Sequence, residues 1–175
     1  MTVVVETGNG LTEANSYIDS DYLEDYFSAE RKAKWNNKSQ DEQDSLLVSA
    51  TQFIDLSYKW IGKCNSHEQG LSWPRTGAVY PDTNITIDGV PKAVHKATAE
   101  TVAILLDGST LFEVIKEAQV KRERLAVLET EYFEAKQTLA EGETIYPLLN
   151  LILAGLYETE KPHGSGINST EVLRA

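Results

Sequence analysis

One cysteine, Cys64, is all the thiol this chain has. An intrachain disulfide is therefore impossible, and a zinc site built on several thiolates is excluded. A reducing compartment suits such a chain. Long apolar runs are missing too. The most apolar stretch, 145–157, contains Pro147 and Asn150 and is too short to cross a bilayer. The opening Met-Thr-Val-Val-Val-Glu lacks the basic start and apolar run of a signal peptide. The expectation is a soluble, cytoplasmic product with no membrane contact. Positive charge is scarce as well. Sixteen Lys and Arg face 27 Asp and Glu, a formal net charge of −11. The first thirty residues hold Glu6, Glu13, Asp19, Asp21, Glu24, Asp25 and Glu30 and no Lys or Arg. Phosphate-gripping proteins concentrate basic residues on one face, and this chain repels nucleic acid at long range. Its acidity reads either as a plain solvated surface or as one that sits near DNA without sticking to it.

What is present fits one mainly α domain. With 175 residues and 41% hydrophobic content, the chain can bury about two thirds of its unfolded surface. Residues 1–18 read as an extended arm, with Val3, Val4 and Val5 broken by Gly8-Asn9-Gly10. Asp19 or Ser20 caps a first helix to about Ala29, with Tyr22, Leu23, Tyr26 and Phe27 on one face. Ser39 and Glu42 form a capping box for a second helix. That helix carries Leu46, Leu47, Ala50, Phe53, Ile54 and Ile61, and Gly62 stops it. Residues 62–90 are irregular, with Trp73, Tyr80 and Ile85 available to pack them. Pro91 opens a third helix at its first position, and Gly108 ends it. Residues 109–143 read as a helix by propensity or as a hairpin with strands near 120–124 and 127–132. A last helix runs from Pro147 to about Leu156, with Leu148, Leu149, Ile152, Leu153 and Leu156 inward. Pro162, Gly164, Ser165 and Gly166 mark 158–175 as a flexible tail. The domain plan is an arm (1–18), a helical body (19–157) and a tail (158–175).

No constellation of catalytic type emerges, so the expectation is a non-enzyme with no cofactor and no metal. Cys64 and His67 have a Cys-x-x-His spacing, but His95 and His163 fall in a helix and in the tail. Nothing marks Cys64 as an activated nucleophile. His95 sits beside Lys92 and Lys96 and reads as solvated or interfacial. Asp19/Asp21 and Asp41/Glu42/Asp44 lie at helix starts, where negative charge offsets the helix dipole by about 0.3–1 kcal/mol each. Gly8-Asn9-Gly10 lacks the helix and lysine of a phosphate cradle. The most distinctive stretch is Gly70-Leu71-Ser72-Trp73-Pro74-Arg75-Thr76-Gly77. Trp73 can cover a helix pair while Arg75 stacks on it or caps a helix end. The alternative is base stacking on Trp73 with Arg75 on a phosphate. With no basic patch beside it, the packing role is preferred.

Four ordered motifs carry a resemblance. They are Glu6-Thr7-Gly8-Asn9-Gly10-Leu11-Thr12-Glu13-Ala14-Asn15-Ser16-Tyr17, Tyr58-Lys59-Trp60-Ile61-Gly62, the stretch from Gln69 to Gly77, and Val90-Pro91-Lys92-Ala93-Val94. Together they resemble a family of tailed-bacteriophage proteins often labelled DnaT-like single-stranded-DNA-binding proteins. The pattern is also similar to head–tail adaptors, the head-completion or connector proteins. That resemblance implies a virion neck subunit made in the host cytoplasm, in a ring, usually twelve-fold, between the portal and the next neck or tail-terminator protein. DNA then passes through without specific binding. It also implies a C-terminal tail docked on the portal, here through Ile167, Val172, Leu173 and Arg174, with Trp73, Pro74 and Arg75 as a structural motif. Single-stranded-DNA binding is the alternative, and Lys116, Lys121, Arg122 and Arg124 are its candidate basic stripe. The chain departs from the family pattern at Val120-Lys121-Arg122-Glu123-Arg124-Leu125, which lacks a following Gly-Pro, and in a longer tail. The resemblance still implies a protruding loop or hairpin in 109–143, and the hairpin is preferred.

Overall fold

A computed structural model describes residues 2–111 and 146–158, together with the backbone of two short strands at 123–125 and 128–130. The protein is mainly helical. In chain order it has α1 (Ser20–Tyr26), α2 (Ala29–Asn36), α3 (Gln40–Ser57), β1 (Lys63–Cys64), β2 (Arg75–Thr76), α4 (Lys92–Leu106), β3 (Glu123–Leu125), β4 (Leu128–Thr130) and α5 (Pro147–Ile152). Helices α3 and α4 pack along each other, and α2 and α5 lie against α4.

The helices follow their caps and apolar stripes. Asp19 accepts the Tyr22 N–H at 2.8 Å and starts α1. The first helix, expected to about Ala29, ends at Tyr26 because Phe27 and Ser28 are extended, and Ser28 starts a further helix, α2, not anticipated from the sequence. Phe27 at that break, 5% exposed, and Trp35 of α2, 1% exposed, both belong to the core. At the start of α3, the Glu42 carboxylate accepts from the Ser39 N–H and hydroxyl at 2.9 and 2.8 Å. Those bonds hold Glu42 down to about pKa 2. Leu47, Ala50, Phe53 and Ile54 then form the buried stripe. Each buried side chain of this kind contributes about 1.5–3 kcal/mol.

Helix α3 ends at Ser57, four residues before Ile61. The reason is long-range. Residues 59–61 leave the helix to pair with 156–158, through Ile61 N–H to Leu156 O at 3.1 Å and Glu158 N–H to Lys59 O at 2.7 Å. Pro91 is the N-cap of α4, one position outside the helix. The face of α4 toward α3 is small: Val94, Ala97, Thr98, Thr101 and Val102 are all buried. Thr98 and Thr101 donate to the carbonyls of Val94 and Ala97, which satisfies both buried hydroxyls.

In α5, Leu149 and Leu153 are fully buried, and Leu156 lies beyond the helix end in the core. Leu148, expected inward, is 51% exposed, because a helix this short has room for only one buried row. Beyond residue 111, the described backbone within 109–143 is that of 123–125 and 128–130. There β3 and β4 pair antiparallel with Leu125 opposite Leu128. Residues 112–122, 126–127 and 131–145 and the tail residues Ile167, Val172, Leu173 and Arg174 lie outside the described residues. Among the described residues, no helix is long and apolar enough to cross a membrane.

Candidate functional site: the arm and the Trp-Pro-Arg loop

The first motif closes on itself. Glu6 is 3% exposed, yet its carboxylate is fully engaged. Oε1 accepts from the N–H groups of Gly8, Asn9 and Gly10 at 2.8, 2.8 and 2.9 Å, and Oε2 accepts from Leu11 N–H at 2.8 Å. Gly8 and Gly10 have positive φ, which turns successive N–H groups onto one point. Backbone amides do gather around an anion here, as in a phosphate cradle, but the anion is the chain's own Glu6. Replacing Glu6 by Gln sets an NH2 against one of these N–H donors. We expect Glu6→Gln to cost about 1–3 kcal/mol in denaturant unfolding and to raise amide exchange at residues 8–11.

The arm then reaches the other motifs. Gly70 N–H donates to Leu11 O at 3.0 Å. A side chain at Gly70 would run into the carbonyls of Thr12 and Ala14, so only glycine fits under the arm. Tyr17 is 1% exposed and donates its hydroxyl to Asp55 of α3. The same hydroxyl accepts from Trp73 N–H at 3.1 Å, and the other Asp55 oxygen accepts from Ser72 N–H at 2.9 Å. Burial raises the Asp55 pKa, offset in part by these hydrogen bonds. Burial and the Asp55 charge push Tyr17 well above 10. Burial, with Glu100 accepting from its hydroxyl, pushes Tyr26 up to about 12. An acid with a raised folded pKa contributes stability that is full below its unfolded pKa and lost as pH rises past it. Unfolding free energy should therefore fall above about pH 10, and Tyr17→Phe should flatten that fall.

Trp73 is fully buried, edge-on to Trp60 with ring centroids 5.8 Å apart. Its peptide bond to the buried Pro74 is cis. Trp60 packs on Tyr58, which packs on Tyr157. Arg75 does not stack on Trp73. Its guanidinium donates to the carbonyls of Ile61 (2.7 Å), Gly62 (2.9 Å) and Ser72 (3.2 Å), with Trp60 O at 3.5 Å. Nη1 also lies 3.1 Å from Cys64 Sγ. One side chain thus ties the chain leaving α3 to the loop before β2. Trp73 is thus enclosed in the core, and Arg75 is held by the chain's own carbonyls.

The remaining candidates do not converge. Cys64 and His67 are exposed, and no group of three His, Cys, Asp or Glu among the described residues can hold a metal. His95 is half-buried. It meets Tyr22 edge-on, and burial lowers its pKa. Tyr80 and Ile85, expected to pack the 62–90 segment, are 38% and 64% exposed. They flank a hairpin closed by the hydrogen bond from Tyr80 N–H to Ile85 O, which turns them outward. Reasoning from sequence missed Glu6, Tyr17 and Asp55 as the hub's polar centre. The legible signal was Glu-x-Gly-x-Gly, an acid placed just before two glycines able to turn their amides toward it.

The full chain, residues 1–175, matches the family described as "Putative DnaT-like ssDNA binding protein". The chain belongs to this family. Its description names DNA binding and no enzymatic activity. No curated protein and no solved structure matches the chain. The DnaT-like motif residues described above hold one another.

Proposed function

We propose that this DnaT-like chain is a non-catalytic assembly subunit of a phage neck, forming a ring between the portal and the next neck or tail protein. The observation that carries the reading is the inward commitment of the motif. Trp73 is enclosed, and Arg75 spends its donors on the chain's own carbonyls. What the surface offers instead is apolar and acidic. Leu56, Leu148, Leu151 and Ile85 are 78%, 51%, 75% and 64% exposed, and the net charge is −11. Exposed apolar side chains suit protein contacts, and an acidic body suits a channel that DNA crosses without adhering.

The family's description supports a second reading, single-stranded-DNA binding, and is the one comparison that speaks to function. Lys121, Arg122 and Arg124 would then carry it. Fluorescence anisotropy with a labelled single-stranded oligonucleotide at low salt separates the two. The neck reading expects no saturable binding. Binding that weakens steeply with salt and disappears when the three cations are replaced by Glu favours the DNA reading.

A further inference from the structure

The arm carries an open strand edge. Residues 2–6 are extended, and one edge is closed by the arm itself. Val4 O accepts from Asn15 and Ser16 N–H, Val4 N–H donates to the Asn15 side chain, and Glu6 N–H donates to Ser16 O. This is a parallel bridge of Val5 with Ser16. In that geometry the N–H and C=O of residues 3 and 5 point the opposite way. Among the described residues, none of those four groups has a hydrogen-bond partner. Such an edge is a template for another strand. Natural edges are blunted by Lys, Pro or a bulge, and Thr2-Val3-Val4-Val5-Glu6 has none of these.

The edge borders a cleft of about 290 Å³. Val3, Val5 and Leu47 give it apolar walls, and Asp19, Asp21 and Asp44 give it negative charge. Asp44 is 9% exposed and held by Gln40 Nε2 at 2.7 Å, and Asp19 is committed to its helix cap. Asp21 is exposed and makes no hydrogen bond or ion pair among the described residues. No Lys, Arg or His lines the cleft. A strand that adds here must be basic, with apolar residues for the valines.

We propose that this edge is a strand-addition site and that its occupant is the basic segment 120–125 of a second copy of the chain. That segment, Val120-Lys121-Arg122-Glu123-Arg124-Leu125, puts three cations in four residues between apolar ends. Residues 123–125 are already a strand, β3, with β4 on one side. A chain of net charge −11 repels its own copies, so self-association needs a place where opposite charges meet. The Asp19/Asp21/Asp44 cleft and the 121–124 cations supply one. Strand addition takes affinity from main-chain hydrogen bonds and register from the side-chain pockets. The contact is heterologous, edge on one copy and ribbon on the next, which is the kind that closes rings. It rests on the ring reading above and names the surfaces that form the ring.

A benzoylphenylalanine cross-linker at exposed position 2 of the full chain tests this, using mixed light and 15N-labelled chains. The expected result is a cross-link between copies, mapped by mass spectrometry to 120–125. Asp21→Lys, an exposed change, should lower its yield about tenfold, as reversing a charge at a complementary contact does. Val3→Pro deletes an edge donor that no internal bond uses, and should lower it too. Pairing the Asp21→Lys chain with one carrying Lys121→Glu, Arg122→Glu and Arg124→Glu should restore it. Cross-links that map elsewhere, to a partner protein or within one copy, overturn the proposal, as does a yield indifferent to Asp21→Lys and Val3→Pro. A ring on the portal without this cross-link overturns the proposal and leaves the neck reading standing. The cross-link in a chain that never meets a portal supports the proposal and removes the neck reading.

Discussion

Trp73→Ala should cost about 3–5 kcal/mol of unfolding free energy, the usual range for emptying a fully buried Trp site. A domain of this size has only about 5–15 kcal/mol in total. The indole is wholly enclosed and sits edge-on against Trp60, itself 5% exposed, so the cavity opens where the arm, α3 and the chain before β2 meet. The Trp73 N–H donates to the Tyr17 hydroxyl, so collapse there loosens the arm as well. Trp73→Phe should cost clearly less, because the indole Nε1 has no hydrogen-bond partner among the described residues and its removal strands nothing. Urea unfolding of the three proteins gives the order. The same numbers bear on DNA: a loss of DNA binding in the Trp73→Ala protein is confounded with its lost stability. Only a loss in the folded Trp73→Phe protein would implicate the ring in stacking on bases.

Arg75→Ala should cost about 3 kcal/mol, since hydrogen bonds to a charged group are worth about 1.5–3 kcal/mol each but do not add when they share one donor. Three carbonyls, of Ile61, Gly62 and Ser72, lose an N–H at 2.7–3.2 Å. Arg75→Lys should recover less than half of the loss. An ammonium cannot reproduce the planar fork that reaches both sides of the β1–β2 pair. A lysine variant as stable as the parent would mean that charge alone, and not the fork, holds this loop. Thermal and urea midpoints both read the difference.

The local parts of the fold were legible because their causes are local. Asp19 as a cap, Ser39 with Glu42, and Gly108 after α4 announce helix ends through residues three or four apart. The end of α3 was not legible. Nothing near Ser57 stops a helix, and what stops it is the pairing of 59–61 with 156–158, about a hundred residues away in sequence. The same holds for Leu148, a good core residue by type that faces outward because Leu149 and Leu153 already take the single buried row. At the hub, an aromatic beside a proline in a loop marked Trp73 as a packing candidate, and the indole is enclosed. The wiring of Tyr17 to Asp55, and of Arg75 to carbonyls past α3, was not foreseeable. Tyrosines and aspartates look alike in sequence whether solvated or buried, and these two are paired across 38 positions.

The proposal that this protein works by assembling is tested most directly by mass measurement of the full chain with a purified phage portal protein. Size exclusion with light scattering should show the portal gaining the mass of a complete ring of copies, with the free chain depleted in proportion. A chain that stays monomeric and leaves the portal's mass unchanged, at concentrations where it binds single-stranded DNA, contradicts the account and returns the function to DNA binding.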